Sequence, residues 1–220
     1  MPKLPPGDSP RPRRTQTERT LETQGKLVHS AIELLKKSRY NGLRTSDVAE
    51  HAGVSKGAST HHFPSKDALV LRALEEVYRY TQERALRRIA QAGTSTEEVL
   101  EAMVEDSRAF FLSDDFLLSL DLVMIDPKSE LGQGVAALAR RYRLPVEQAW
   151  LAALERAGHT GEKAEDVVRL TFAIARGLGI RQLIAGPETA ADRLTDSWRV
   201  TASNMLLAPA PRKATSRTKP

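Results

Sequence analysis

Hydrophobic residues recur along the chain at the spacing of buried helical faces, and this pattern predicts an all-α fold. Apolar positions between Leu27 and Leu35 predict a first helix within residues 18–38, and an apolar stripe predicts a long helix from Lys66 to about residue 91. Further amphipathic or apolar segments predict helices at 97–112, 116–125, 130–143, 145–157, 162–185 and 188–207.

Between the first helix and the long helix, the sequence predicts two short helices joined by a glycine turn. Thr45 and Ser46 are residue types that cap helix N-termini, so the first short helix should begin near Thr45. Gly53 stands where a left-handed residue would end it, because glycine reaches positive φ without a Cβ clash. Ser55 is a capping residue type for the second short helix, which Pro64 closes. The arrangement is a helix-turn-helix and indicates a protein that reads DNA.

The second short helix is predicted to expose residues 56–62, Ser59 among them, before Phe63 returns to the core. Small and hydrogen-bonding side chains dominate this segment. They suit a helix whose backbone lies close to base edges and phosphates, as a recognition helix does in the major groove.

These segments resemble the TetR family of bacterial transcriptional regulators. The residues that carry the resemblance are LRTSDVA at 43–49, AGVSKG at 52–57 and HFPSKDAL at 62–69, at the spacing typical of the family. The resemblance implies an N-terminal three-helix, homeodomain-like helix-turn-helix domain and a larger C-terminal helical domain for ligand binding and dimerisation. It also implies a homodimer that binds a near-palindromic operator in double-stranded DNA, usually as a repressor, and is released when a small molecule occupies the C-terminal domain.

The resemblance further implies which residues contact DNA. Phosphate contacts are expected from Thr45, Thr60, His62 and Lys66. Contacts with base edges or the neighbouring backbone are expected from Ser46, Lys56, Gly57, Ala58 and His61, and the capping residue Ser55 completes the predicted set.

Two positions depart from the family pattern. The family usually has a bulky apolar residue at the position of Ser59 and a phosphate-contacting tyrosine at the position of Thr60. These departures favour an alternative function, a helical interaction protein that keeps the fold but binds DNA weakly. The basic N-terminal arm argues against that alternative, as do Lys56, His61, His62 and Lys66.

Composition narrows the remaining choices. The chain of 220 residues has no cysteine, so disulfides and thiolate metal sites are excluded. It has no glycine-rich phosphate loop, no Gly-x-Ser-x-Gly and no His-Glu-x-x-His, so we expect no catalysis, no metal and no cofactor. No apolar run approaches the roughly 18 residues of a membrane span, and no signal peptide precedes the first helix, so a cytoplasmic protein is expected.

Charge is unevenly distributed along the chain. Residues 1–16 carry a formal charge of +3, residues 17–66 carry +3 and residues 208–220 carry +4, whereas residues 67–207 carry −5. The division predicts a disordered basic arm at 1–16, a DNA-binding domain at 17–66, an effector-binding and dimerisation domain at 67–207 and a disordered basic tail at 208–220. A basic tail that merely aids solubility is the alternative for 208–220.

The helices of the C-terminal domain are mostly apolar, which favours a hydrophobic or amphipathic effector. The candidate ligand-binding residues are Met103, Phe110, Asp121, Met124 and Trp150. Asp121 lies in an otherwise apolar helix, so it is a ligand-binding acid, a member of a buried ion pair or an exposed residue at a helix edge.

The last two helices carry more apolar surface than one subunit requires. Residues 162–185 leave little polar surface, and residues 188–207 show a narrow apolar stripe, which together suggest a four-helix seam across a twofold axis. The candidate dimerisation residues are Ile174, Leu178, Arg181, Leu194, Trp198 and Met205.

Overall fold

The computed structural model describes residues 15–186 and 190–208, and these residues contain helices but no β-strand. The helices are α1 (Gln16–Gly42), α2 (Thr45–His51), α3 (Lys56–His62), α4 (Lys66–Gln91), α5 (Thr96–Phe111), α6 (Asp114–Val123), α7 (Glu130–Tyr142), α8 (Leu144–Arg156), α9 (Glu162–Ala185) and α10 (Ala191–Leu207). The predicted all-α fold is therefore confirmed. None of the helices within the described ranges combines the length and apolar character needed to cross a bilayer.

The chain divides into two compact units, the first ending at Ala73 and the second beginning at Leu74. The division falls within α4, seven residues beyond the boundary predicted at residue 66. Its physical reason is that Leu69, Val70 and Ala73, on the first turns of α4, are fully buried and belong to the core of the first unit.

The ends of the chain lie mostly outside the described residues, which exclude 1–14 of the predicted arm and 209–220 of the predicted tail. Thr15 caps α1 through a reciprocal pair of hydrogen bonds with Glu18, at 2.7 Å and 3.2 Å. Gln16 is consequently the first helical residue and does not belong to an unstructured arm. Residues 187–189, where the last helix was predicted to begin, also lie outside the described ranges.

The first unit packs α1 against α2 and α2 against α3. Leu27 and Leu35 of α1 are buried together with Val48 and Ala49 of α2. Regular helix in α1 is interrupted at Arg39, whose φ of 59° and ψ of 177° lie outside the helical region. The predicted end of the first helix at residue 38 matches this interruption.

The core of the second unit is formed where α5 packs against α8, α9 and α10. Phe110, Phe111, Phe116 and Phe172 meet edge to face there, with ring centroids between 5.1 and 5.9 Å apart. Each such pair contributes about 0.5–1.5 kcal/mol beyond the burial of its area. The cluster joins α5 and α6 to α9 and gives the second unit a rigid centre.

Candidate functional site

A tight turn connects α2 to α3. Gly53 has φ 64°, and Val54 donates its backbone N–H to the carbonyl of Ala49 at 2.9 Å, which closes the end of α2. Ser55 then caps α3 by accepting the backbone N–H of Ala58 at 3.2 Å. The glycine turn and the serine cap therefore lie where the sequence places them.

Helix α2 begins at Thr45, as predicted, but its capping residue differs from the expected one. Arg44, not Thr45 or Ser46, occupies the N-cap position, and it makes no side-chain capping bond. Thr45 and Ser46 are exposed in the first helical turn, and Ser46 donates its hydroxyl to the carboxylate of Asp47 at 3.0 Å. Neither hydroxyl is used for capping, because the chain reaches its helical conformation one residue earlier than the capping pattern indicates.

The outer face of α3 carries small and polar side chains. Lys56, Gly57, Thr60 and His61 are exposed, whereas Ala58 and His62 are half-buried. A Cβ placed on Gly57 would meet no atom within 4 Å, so the backbone is open to solvent there. Thr60 donates its hydroxyl to the carbonyl of Lys56 at 3.0 Å.

Ser59 is buried, with 5% of its surface exposed, so the prediction that it lies on the exposed face of α3 is wrong. A two-turn helix that packs on α2 must turn one side inward, and Ser59 lies on that side. Its small hydroxyl fills the place where the resemblance leads us to expect a bulky apolar side chain.

Lys66 is held at the start of α4 by a residue that the sequence analysis did not single out. Its Nζ lies 4.1 Å from the centroid of the Tyr40 ring, a cation–π distance. Tyr40 donates its hydroxyl to the Asp67 carboxylate at 2.7 Å, and this hydrogen bond raises the pKa of Tyr40 to about 12. Tyr40 remains a neutral donor at physiological pH and orients the predicted phosphate-binding lysine.

The second unit contains a cleft beside α4 and α5, which we call the arginine cleft. The space between its walls is about 380 Å³ when the solvent at its open mouth is counted. The residues of its wall include Thr81, Arg88, Asp106, Phe110, Ser113 and Arg143.

Asp106 is the centre of a buried polar network at this cleft. Its carboxylate accepts a hydrogen bond from Arg88 at 2.9 Å and one from the indole N–H of Trp150 at 3.0 Å. Within the described part of the chain, every fully buried side-chain nitrogen or oxygen has a hydrogen-bond partner. The network therefore satisfies the polar atoms that would otherwise oppose burial.

The five candidate ligand-binding residues do not come together. Phe110 lines the arginine cleft, whereas Met103 and Trp150 are fully buried in the core beside it. Asp121 is half-buried on α6, and Met124 is 77% exposed at the end of that helix. Of the five, Phe110 alone lines this cleft, while the Trp150 indole supports it through Asp106.

The sequence pattern did not predict the principal polar residues of the cleft, which are Arg88, Asp106 and Arg143. A signal for Asp106 exists, because it lies three residues after Met103 and four before Phe110 on the apolar face of α5. Arg143 lies at the junction of α7 and α8 and has no comparable periodic signal.

The last two helices expose a line of apolar side chains. Leu170, Ile180 and Ile184 of α9 are 40%, 40% and 86% exposed, and they share one face with Ile174 and Arg181. On α10, Leu194 is exposed as well. We call the part of this surface that lies on α9 the α9 stripe.

The remaining candidate dimerisation residues lie deeper. Leu178 is buried within its own unit. Trp198 and Met205 are half-buried, and the Trp198 indole donates to the Thr171 hydroxyl at 2.8 Å. These three side chains contribute mainly to packing within the chain. Ile174 is half-buried like Trp198 and Met205, and Arg181 and Leu194 are exposed.

A helix-turn-helix with a solvent-facing α3, carried on an all-helical chain, defines the class of this protein as a DNA-binding transcriptional regulator. Residues 27–73 match the family described as bacterial regulatory proteins, tetR family. The HTH-type transcriptional regulator CymR of Pseudomonas putida is 42% identical over 172 residues, which are 78% of this chain and 84% of CymR. The chain belongs to the TetR family.

Two solved structures share the fold. FadR from Bacillus subtilis, in complex with stearoyl-CoA, has a TM-score of 0.64 at 15% identity, covering 84% of this chain and 99% of FadR. A transcriptional regulator from Saccharomonospora viridis, in complex with choline, has a TM-score of 0.68 at 17% identity, covering 83% of this chain and 96% of the other. The arrangement of helices is thus retained at low sequence identity.

Proposed function

We propose that the chain is a ligand-responsive repressor, a homodimer that binds a palindromic operator through α3 of each subunit and is released by a small-molecule inducer. The exposed face of α3 carries this proposal. On one short helix it presents the cation of Lys56, the open backbone of Gly57 and the hydrogen-bonding side chains of Thr60 and His61. Such a helix fits the major groove, where base edges are read.

Dimerisation is supported by the α9 stripe. Exposed apolar side chains in a contiguous row are costly on a monomer and are typical of an interface. In a twofold dimer the α9 stripe of one subunit packs against the α9 stripe of the other. Ile180 and Ile184 of both subunits would then become buried. Two recognition helices would then enter successive major grooves about one turn apart.

Release by a ligand is supported by the arginine cleft and by the structural relatives. FadR was solved with stearoyl-CoA and the Saccharomonospora viridis regulator with choline, so this fold accommodates chemically different ligands. The inducer and the operator would favour different arrangements of the dimer. Each would then weaken the binding of the other by the same factor.

Selection from a random double-stranded DNA pool tests the proposal. The unaltered protein is expected to recover an inverted repeat, and Lys56→Ala should bind that repeat at least about tenfold more weakly, as loss of a base or phosphate contact costs roughly 1–3 kcal/mol. Lys128→Ala removes the same charge from an exposed turn of the second unit and is expected to bind like the unaltered protein. Competition binding at fixed salt measures both, because salt alone changes these affinities.

Failure to recover any motif would overturn the proposal and favour the helical interaction protein with weak DNA binding. Equal losses for Lys56→Ala and Lys128→Ala would show that net charge, not the face of α3, determines affinity.

Dimerisation has its own test. Ile180→Glu places a charge in the middle of the α9 stripe, where a dimer would bury it, and is expected to convert the protein to monomers in analytical ultracentrifugation. Met124→Glu, at an exposed methionine on α6, is the matched control and should leave the mass unchanged. A dimer that survives Ile180→Glu would place the interface elsewhere.

A further inference from the structure

We propose that the arginine cleft binds a small organic acid, with its carboxylate taken by Arg143 and its apolar part placed against Phe110. This inference rests on the proposed function, because it names the chemical class of the inducer. The contacts of Arg143 distinguish an anion from the hydrophobic or cationic ligands that the same fold could hold.

The position of Arg143 is unusual for a charged side chain. Its guanidinium carbon lies 3.7 Å from the centroid of the Phe110 ring, so the planar group is stacked on an apolar wall of the cleft. Burial lowers the pKa of Arg143, and neighbouring Arg176 lowers it further, against the opposing charges of Asp106 and Glu147. Arginine nevertheless keeps its proton in proteins, so a cation is held there at a cost in solvation.

Arg143 forms no ion pair with any carboxylate in the part of the chain that the structure describes. Every fully buried side-chain nitrogen of those residues has a hydrogen-bond partner, and the guanidinium of Arg143 has none among them, so its nitrogens must open into the cleft. Five N–H donors in a planar fork match the two oxygens of a carboxylate.

The charges around the cleft favour an anion over a cation. Three arginines line it, Arg84, Arg88 and Arg143, against the two carboxylates of Asp106 and Asp115. Asp106 accepts hydrogen bonds from Arg88 and from a tryptophan and none from Arg143, although its negative charge does act on Arg143. A quaternary amine would meet an excess of positive charge.

The two hydroxyl groups of the cleft do not compete with its arginines for the role of anion donor. Thr81 donates its hydroxyl to the carbonyl of Tyr78 at 3.1 Å, and Ser113 donates to the carbonyl of Phe110 at 2.7 Å. The donors therefore come from the arginines, and of these Arg143 is half-buried against Phe110, whereas Arg84 is exposed.

Calorimetric titration of the purified full-length protein tests this inference without DNA. The probes are monocarboxylates from benzoate and phenylacetate to octanoate, the neutral amide of each acid, and choline as a cation. At least one acid is expected to bind about tenfold or more tightly than its own amide, because a charge-assisted contact is lost in the amide. If no acid binds, or if acids and amides bind equally, the inference is overturned.

Two variants test whether Arg143 is the residue that binds the carboxylate of the acid. Arg143→Gln is expected to lose the preference for acid over amide, and Arg143→Lys should retain a preference because it keeps a cation. Arg169→Gln removes an equivalent charge from an exposed position of α9 and serves as the control, with unchanged binding expected. An Arg143→Gln protein that still prefers acids would assign the contact to another residue and refute the role of Arg143. If neither Arg143 variant folds, the comparison of acids with amides on the unaltered protein decides the question.

The same acids are then added to the complex with the selected operator. If an acid binds but no operator is selected, acid binding in the cleft is supported and the DNA-binding proposal is overturned. If an operator is selected but no acid binds, DNA binding is supported and the acid-binding inference is overturned. The two failures are therefore distinguishable.

Discussion

Gly179→Ala is expected to lower the free energy of unfolding of the second unit by about 3 kcal/mol or more, a large effect for one methyl group. A Cβ at this position of α9 would lie 2.0 Å from the backbone carbonyl oxygen of Phe111 and 3.0 Å from a ring carbon of Phe116. A backbone oxygen cannot rotate away as a side chain does. Helices α5 and α9 would have to separate, and the phenylalanine cluster between them would loosen.

Gly25→Ala, at an exposed position of α1, is the control. A Cβ at Gly25 would meet no atom within 4 Å, so the substitution should be neutral or stabilise the helix by up to about 1 kcal/mol. Urea unfolding followed by circular dichroism measures both variants at one protein concentration, because the stability of any self-associating protein depends on its concentration. Equal midpoints for the two variants would show that α5 and α9 do not meet at Gly179.

The helix-turn-helix could be predicted nearly residue by residue because its signals are local. A glycine at positive φ, a serine cap and an apolar face of two turns lie within about 20 residues, and α2 and α3 begin at Thr45 and Lys56 as these signals indicate. The same reasoning failed for Ser59, since the side of a two-turn helix that packs inward is determined by its neighbours.

The arginine cleft could not be predicted in this way because its residues are distant in sequence. Trp150 reaches Asp106 across 44 positions, and Arg143 meets Phe110 from the junction of two helices. Periodicity identifies which positions of a helix are apolar, but it does not identify the helix against which they pack. Gly179 shows the same limit, since its small size indicated close helix approach without indicating α5 of the same subunit as the neighbour.

Asp106→Ala is expected to destabilise the second unit by about 3 kcal/mol, because removing one partner of a buried charged network leaves the others unpaired. Arg88 would lose its 2.9 Å contact, and the fully buried indole of Trp150 would lose its acceptor. Asp106→Asn keeps an acceptor for the indole and should cost about half as much. Urea unfolding of both variants provides the measurement.

A double-mutant cycle with Trp150→Phe separates the network from simple loss of packing. Trp150→Phe removes the N–H donor and keeps an aromatic ring in the core, so alone it should cost about 1–2 kcal/mol. Combined with Asp106→Ala, its additional cost should fall by at least about 0.5 kcal/mol, since the acceptor for that N–H is already absent. Strict additivity of the two free energies would mean that the hydrogen bond between Trp150 and Asp106 does not contribute to stability, and the buried carboxylate would then depend on Arg88 alone.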